Sequence, residues 1–217
     1  DKTAPIITAS DLSSNNLSGS LAKVNDTITL SFETDVPIQD PTVTFSCSGT
    51  NIIDGRVNTA SGADLQNWTS SYNASGVDLD GPITYSITYS DLVGNQGVIN
   101  TSGDGVMFDK TAPKITNRDL SSNNLSSSFA KVSDKIQLSF TTSEDIQPPT
   151  VIFSCSGTNI SGVRIYTNSG GSLQSWTSWY NASGIDLDGP ITYLINYKDL
   201  SDNVGTVDTS GGGVTFD

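Results

Sequence analysis

Carboxylates are the most abundant side chains here with chemistry to offer. The chain carries 23 Asp and Glu against 10 Lys and Arg, a net charge of −13, and no histidine. The missing imidazole excludes Ser-His and Cys-His nucleophilic mechanisms and every histidine-ligated metal site. Nucleic acid is not expected as a partner, because phosphate binding needs a basic footprint, and an anionic membrane surface is disfavoured by the same repulsion. Two uses remain for carboxylates. A pair about 5 or about 6.5–9.5 Å apart could hydrolyse a glycoside. A cluster could ligate a hard cation, which takes about 6–8 oxygen ligands.

The remaining reactive types read as structural. Cys47 and Cys155 lie on strands of alternating polarity, on the apolar side, as small buried hydrophobes; neither has the exposed, positive setting of a reactive thiol. Trp68 and Trp176 share a face with Tyr72 and Tyr180 and are expected in a core. Trp179 stands where the earlier part of the chain has Ser71 and should point the other way, so it is the candidate for stacking on a sugar or another ligand. Eight Asn-x-Ser/Thr sequons occur, and Asn16 and Asn73 with their counterparts Asn124 and Asn181 fall in loops or at strand ends where a glycan could be carried.

What positions these residues is a repeat. DKTAP at Asp1 recurs at Asp109, FSCSGTNI at Phe45 recurs at Phe153, and DLDGPITY at Asp78 recurs at Asp186; sliding the chain by 108 gives 72 identities in 108 positions without a gap. A period of that length is a whole domain with its own core, not a solenoid repeat. The expected domains are 1–108 and 109–217, with Asp217 opening a third period and the chain cut from a longer array. No apolar run is long enough to span a bilayer. The acidic residues repeat with the domain, and an active site duplicated in each copy of an array would be unusual, so no enzyme is expected.

Within each copy the hydrophobic period is two. Ile28, Leu30 and Phe32, then Val43, Phe45 and Cys47, then Ile83, Tyr85, Ile87 and Tyr89 alternate with Ser and Thr, as half-buried strands do. With further runs at 6–10, 56–59, 68–73 and 105–108 about seven strands are expected. That predicts an all-β fold of two tandem immunoglobulin-like sandwiches, superposable along their length, with those apolar residues and Trp68 buried. Pro5 and Pro113 follow the junctions, where a fixed φ limits hinge freedom.

Alternating strand direction assigns the acids to poles. Asp78 and Asp80 fall in the loop before the sixth strand of the first repeat, Asp109 in the linker, Asp199 and Asp202 in the last hairpin loop of the second, and Glu144 and Asp145 in its second loop. These groups are expected to converge on one junction, as a hard-cation site or as a solvated acidic rim kept for solubility. Further candidates at the outer poles are Asp1 with Asp91, and Asp186 with Asp188 and Asp217.

The frame DKTAP…LAKVNDTITLSFETD…PTVTFS…WTSSY…DLDGPITYSITYSDLVGN…FDKTAP resembles the bacterial Ig-like repeats of very large surface proteins, repetitive adhesins among them, with related domains in surface-layer proteins. The resemblance covers the whole chain twice. One departure is Leu200-Ser201-Asp202-Asn203 in place of Leu92-Val93-Gly94-Asn95, which adds a carboxylate where such repeats usually have Gly. The resemblance implies calcium at domain junctions and an extracellular, cell-surface location. It also implies a non-catalytic role that extends, spaces or coats, with neighbouring repeats, other copies in a surface assembly, or glycans as partners. A carbohydrate- or protein-binding adhesion module is the alternative.

Overall fold

The computed structural model describes residues 2–52, 58–162, 164–167, 171–206 and 211–217. The chain divides into two compact units, Asp1–Thr111 and Ala112–Asp217. The first unit closes three residues beyond the sequence period because 109–111 bond back onto it. Asp109 N donates to Ala22 O, Lys110 N to Asp80 Oδ1, and the Thr111 hydroxyl to Asp80 Oδ2.

Unit 1 comprises β1 (Ile7–Ser14), β2 (Leu21–Ala22), β3 (Thr27–Thr34), β4 (Thr42–Cys47), β5 (Thr50–Asn51), β6 (Asn58–Ser61), β7 (Asn67–Asn73), β8 (Gly81–Ser90) and β9 (Gln96–Phe108). They form a four-stranded sheet, β1-β3-β7-β6, and a five-stranded sheet, β2-β9-β8-β4-β5. Unit 2 repeats both with β10 (Ile115–Ser122), β11 (Phe129–Ala130), β12 (Lys135–Thr142), β13 (Thr150–Cys155), β14 (Thr158–Asn159), β15 (Arg164–Thr167), β16 (Ser175–Asn181), β17 (Gly189–Asn196) and β18 (Gly211–Phe216). Each unit is an immunoglobulin-like sandwich, in which the first strand is divided between the sheets, antiparallel in one and parallel to the last strand in the other. The additional two-residue edge pieces raise the strand number above the seven expected. Among the described residues there is no helix, and so none long and apolar enough to cross a membrane.

The period-two pattern dictates the core. Ile28, Leu30, Phe32, Val43, Phe45, Trp68 and Ile87 are all buried, as are Ile136, Leu138, Phe140, Val151, Phe153, Trp176 and Ile195. Each unit has its own apolar cluster, and each such side chain contributes about 1.5–3 kcal/mol. The indoles are anchored by polar handles: Trp68 Nε1 donates to Leu65 O at 3.0 Å and Trp176 Nε1 to Leu173 O at 2.8 Å.

The LSSNNLS motif makes the switch between sheets. Asn16 Nδ2 donates to Asp26 Oδ2 at 2.8 Å, Ser18 N to Asn16 Oδ1, and Thr27 N to Asn15 Oδ1, and all three bonds recur at Asn124 and Asn123. The repeats part at one edge strand. Asn58 stands opposite Ser71, but Arg164 stands opposite Trp179, so β15 is displaced by two residues from the position a gapless superposition predicts. An even slip keeps the same residues on the same face.

Candidate functional site

The acids that recur with the period hold turns closed. In the last hairpin loop of unit 1, Asp91 Oδ1 accepts from Val93 N at 3.0 Å and Asn95 N at 2.8 Å, and Oδ2 accepts from Asn95 Nδ2 at 2.7 Å. Asp199 does the same in unit 2 with Ser201 N, Asn203 N and Asn203 Nδ2, at 2.8, 2.9 and 2.9 Å. Both side chains are buried. The Asn95 amide, ahead of the backbone donors, holds the Asp91 carboxyl below the ordinary carboxylate range. An anion that accepts several N–H groups is favoured in its charged form. Asp78 and Asp186 close the preceding loops by accepting from Ser75 N and Ser183 N.

The expected cation ligands are distributed as follows. In unit 1, Asp80 and Asp109 are brought together by one residue: Thr111 donates its N–H to Asp109 Oδ1 at 2.9 Å and its hydroxyl to Asp80 Oδ2 at 2.5 Å. Lys110 Nζ reaches Gly76 O in the same loop. In unit 2, Asp199 and Asp202 share a turn but are each engaged. Asp202 occupies the left-handed position of Gly94, with φ 71° against 94°, which Asp tolerates better than most residues. Its carboxylate pairs with Lys198 Nζ, and Gln147 Nε2 donates to it at 2.9 Å. Lys198 replaces Ser90, so the additional carboxylate arrives with its own countercharge. A cation at Asp202 has to displace Lys198, and one at Asp199 has to share oxygens that already serve three donors.

Glu144 is half-buried, with its carbonyl accepting from the Thr142 hydroxyl, and Asp145 is exposed. Asp188 and Asp217 are exposed, and Asp217 N donates to Ala130 O. Asp1 lies outside the described residues. Both thiols are buried, Cys47 Sγ donating to Leu79 O at 2.9 Å and Cys155 Sγ to Leu187 O at 2.8 Å. Burial first, then the charges of Asp186 and Asp188, push the Cys155 thiol up.

Trp179 is on the outer face of β16, half-buried, with Lys135 Nζ over its ring at 5.0 Å. The structure also shows a feature that the sequence reading missed. The same face of unit 1 is a groove of about 540 Å³, lined by Ala9, Asp11, Ser31, Glu33, Ala60 and Thr69 among others. The signal was there in the small outward residues of β3, β6 and β7, but the ladder that aligns them is not readable from one strand.

No family model matches the chain, and no curated protein matches it. Among solved structures, it is similar to titin domains z1z2 in complex with telethonin (16% identity, 100% of this chain and 99% of that one, TM-score 0.33) and to Rst D1-D2 (11%, 99% and 100%, 0.43). It is likewise similar to the N-terminal Ig1-2 module of the Drosophila receptor protein tyrosine phosphatase DLAR (11%, 99% and 100%, 0.30). All three are tandem-domain chains; the assignment of each unit as an Ig-like sandwich rests on its own strand order. By that strand order the chain is a tandem pair of immunoglobulin-like β-sandwich domains.

Proposed function

We propose that this chain is a non-catalytic extender segment of an extracellular, cell-surface repeat protein, one that spaces or coats. The observation that carries the reading is the recurrence, at a fixed period, of one sandwich that closes its own core and locks its own turns. Such a unit gains nothing in stability from being single, so copies can be added to set a length. The sequence resemblance to repeats of large bacterial surface proteins supports the location. Calcium at the domain junctions is the stiffening ligand in this proposal, with Asp78, Asp80, Asp109, Asp199 and Asp202 as ligands. Support for the ion comes from the acidic charge, the resemblance, and the meeting of Asp80 and Asp109 at Thr111. Ion binding to the folded state alone adds about 2.7 kcal/mol at a hundredfold excess over Kd.

The test combines small-angle scattering and thermal melting, with calcium and with chelator. Calcium should raise both the melting temperature and the maximum dimension, and Asp109→Ala should abolish both effects. If neither quantity responds to calcium, the acids serve solubility and turn closure alone.

A further inference from the structure

The two units are identical at two-thirds of their positions, yet differ on one face, and the difference is complementary. On the outer face of the four-stranded sheet of unit 1, the ladder sets Ala9 beside Glu33, and Asp11 beside Ser31, Thr69 and Ala60. Small side chains across four strands leave the groove of about 540 Å³, and its charged groups are Asp11 and Glu33. In unit 2, Thr141 replaces Glu33, and the ladder positions of Ser71, Ala60 and Asn58 carry Trp179, Tyr166 and Arg164. Lys135 replaces Thr27 and lies over the Trp179 ring. Asp119, the counterpart of Asp11, is retained there beside Ser139. One face is thus hollow and acidic; the other carries the Trp179 ring with the Lys135 cation over it.

We infer that the groove of unit 1 receives the Trp179 face of unit 2 from a second copy of the chain, so that copies associate side by side. A Trp or Tyr side chain buries about 150–250 Å², and aromatic residues are enriched at the centre of protein interfaces. Charge disfavours groove on groove, which brings four carboxylates together, and favours groove on the Lys135 side of the other face. The contact joins unlike surfaces, so it propagates into open assemblies unless two copies pair reciprocally. The inference stands on the two faces and is independent of whether the chain acts as an extender or binds calcium.

The experiment is sedimentation velocity on the full chain and two variants. Trp179→Ser with Lys135→Thr places the residues of unit 1 on the face of unit 2 and keeps the groove. Glu33→Thr with Ala60→Tyr fills the groove with residues of unit 2 and keeps the Trp179 face. The parent chain should associate with rising concentration, more strongly at low salt, since the Debye length falls from about 30 Å at 0.01 M to about 8 Å at 0.15 M. Each variant alone should associate at least tenfold more weakly. An equimolar mixture of the two should form a one-to-one dimer, because one retains the groove and the other the face. A parent that stays monomeric at millimolar concentration overturns the inference, as does association unchanged in either variant, or a mixture that forms no heterodimer. Circular dichroism of both variants confirms that the sandwiches are intact.

Discussion

Replacing Asp199 with Ala should unfold unit 2 early and leave unit 1 alone. The substitution removes the acceptor of two backbone N–H groups and one side-chain amide, at 2.8–2.9 Å. Ser201, which holds one of those donors, is itself buried. Hydrogen bonds to a charged group are worth about 1.5–3 kcal/mol each, and an orphaned buried donor costs about 1–3 kcal/mol. The three bonds share one carboxylate and do not add, so the loss should be about 3–4 kcal/mol. That is a large part of the 5–15 kcal/mol typical of a domain. With a urea slope of about 1.5 kcal/mol/M for a domain of this size, the midpoint of unit 2 should fall by roughly 2–2.7 M. Asp199→Asn keeps an acceptor for the backbone but sets an amide against Asn203 Nδ2, and should lose about 1–2 kcal/mol. Pulse labelling of Cys47 and Cys155 across a urea series separates the units, because each buried thiol is exposed only when its own sandwich opens. The reasoning is refuted if Asp199→Ala lies within about 0.5 kcal/mol of the parent in chelator. A loss seen with calcium that disappears in chelator would leave Asp199 its proposed role as an ion ligand and remove the turn lock.

Three more outcomes follow from the same structure. The Asn124 amide, ahead of Lys131 N, holds the Asp134 carboxyl below its ordinary value of 3.8, so this bond stabilises unit 2 above the unfolded pKa and is lost as pH falls through the lower folded value. Asn124→Ala should therefore destabilise unit 2 at pH 7, the gap to the parent should close as pH falls below about 4, and a gap independent of pH would contradict the assignment. Cys155 should react with a thiol reagent no faster than unit 2 unfolds, because burial disfavours its thiolate; rapid native labelling would place the thiol at the surface. A Cβ at Gly205 would strike the Tyr197 ring, so Gly205→Ala should cost unit 2 about 1–3 kcal/mol, measured by the same urea series, and a neutral effect would mean the ring moves freely aside.

Much of this fold was legible because a sandwich writes its inside and outside into alternate residues. Ile28-x-Leu30-x-Phe32 and its partners could be placed in a core from the period alone, and a gapless repeat doubled the support. Edges were harder to read. The edge strand was expected at 56–59, of which the structure describes β6 from Asn58, and the two-residue slip of β15 is invisible because an even slip conserves every face. The candidate acids fall in loops, but the N–H donors that hold them were not read from the sequence. Asp91 and Asp199 are surrounded by N–H donors of their own turns, and the signal was the Asp-x-x-x-Asn spacing present in both repeats. Asp202 was read as an added ligand, and the simultaneous appearance of Lys198 gives that carboxylate an ion pair that a cation has to displace. The groove could not be anticipated, since it depends on which small residues lie side by side across four strands.

The central claim is that this sandwich sets length by repetition. Small-angle scattering of chains with one, two and three copies tests it most directly. The central strand β8 has 10 residues and spans about 33 Å at about 3.3 Å per residue. Under dilute conditions that suppress association, each added copy should lengthen the maximum dimension by about 35–45 Å. A second or third copy that leaves the maximum dimension unchanged, with the domains folded back on one another, would contradict the extender role.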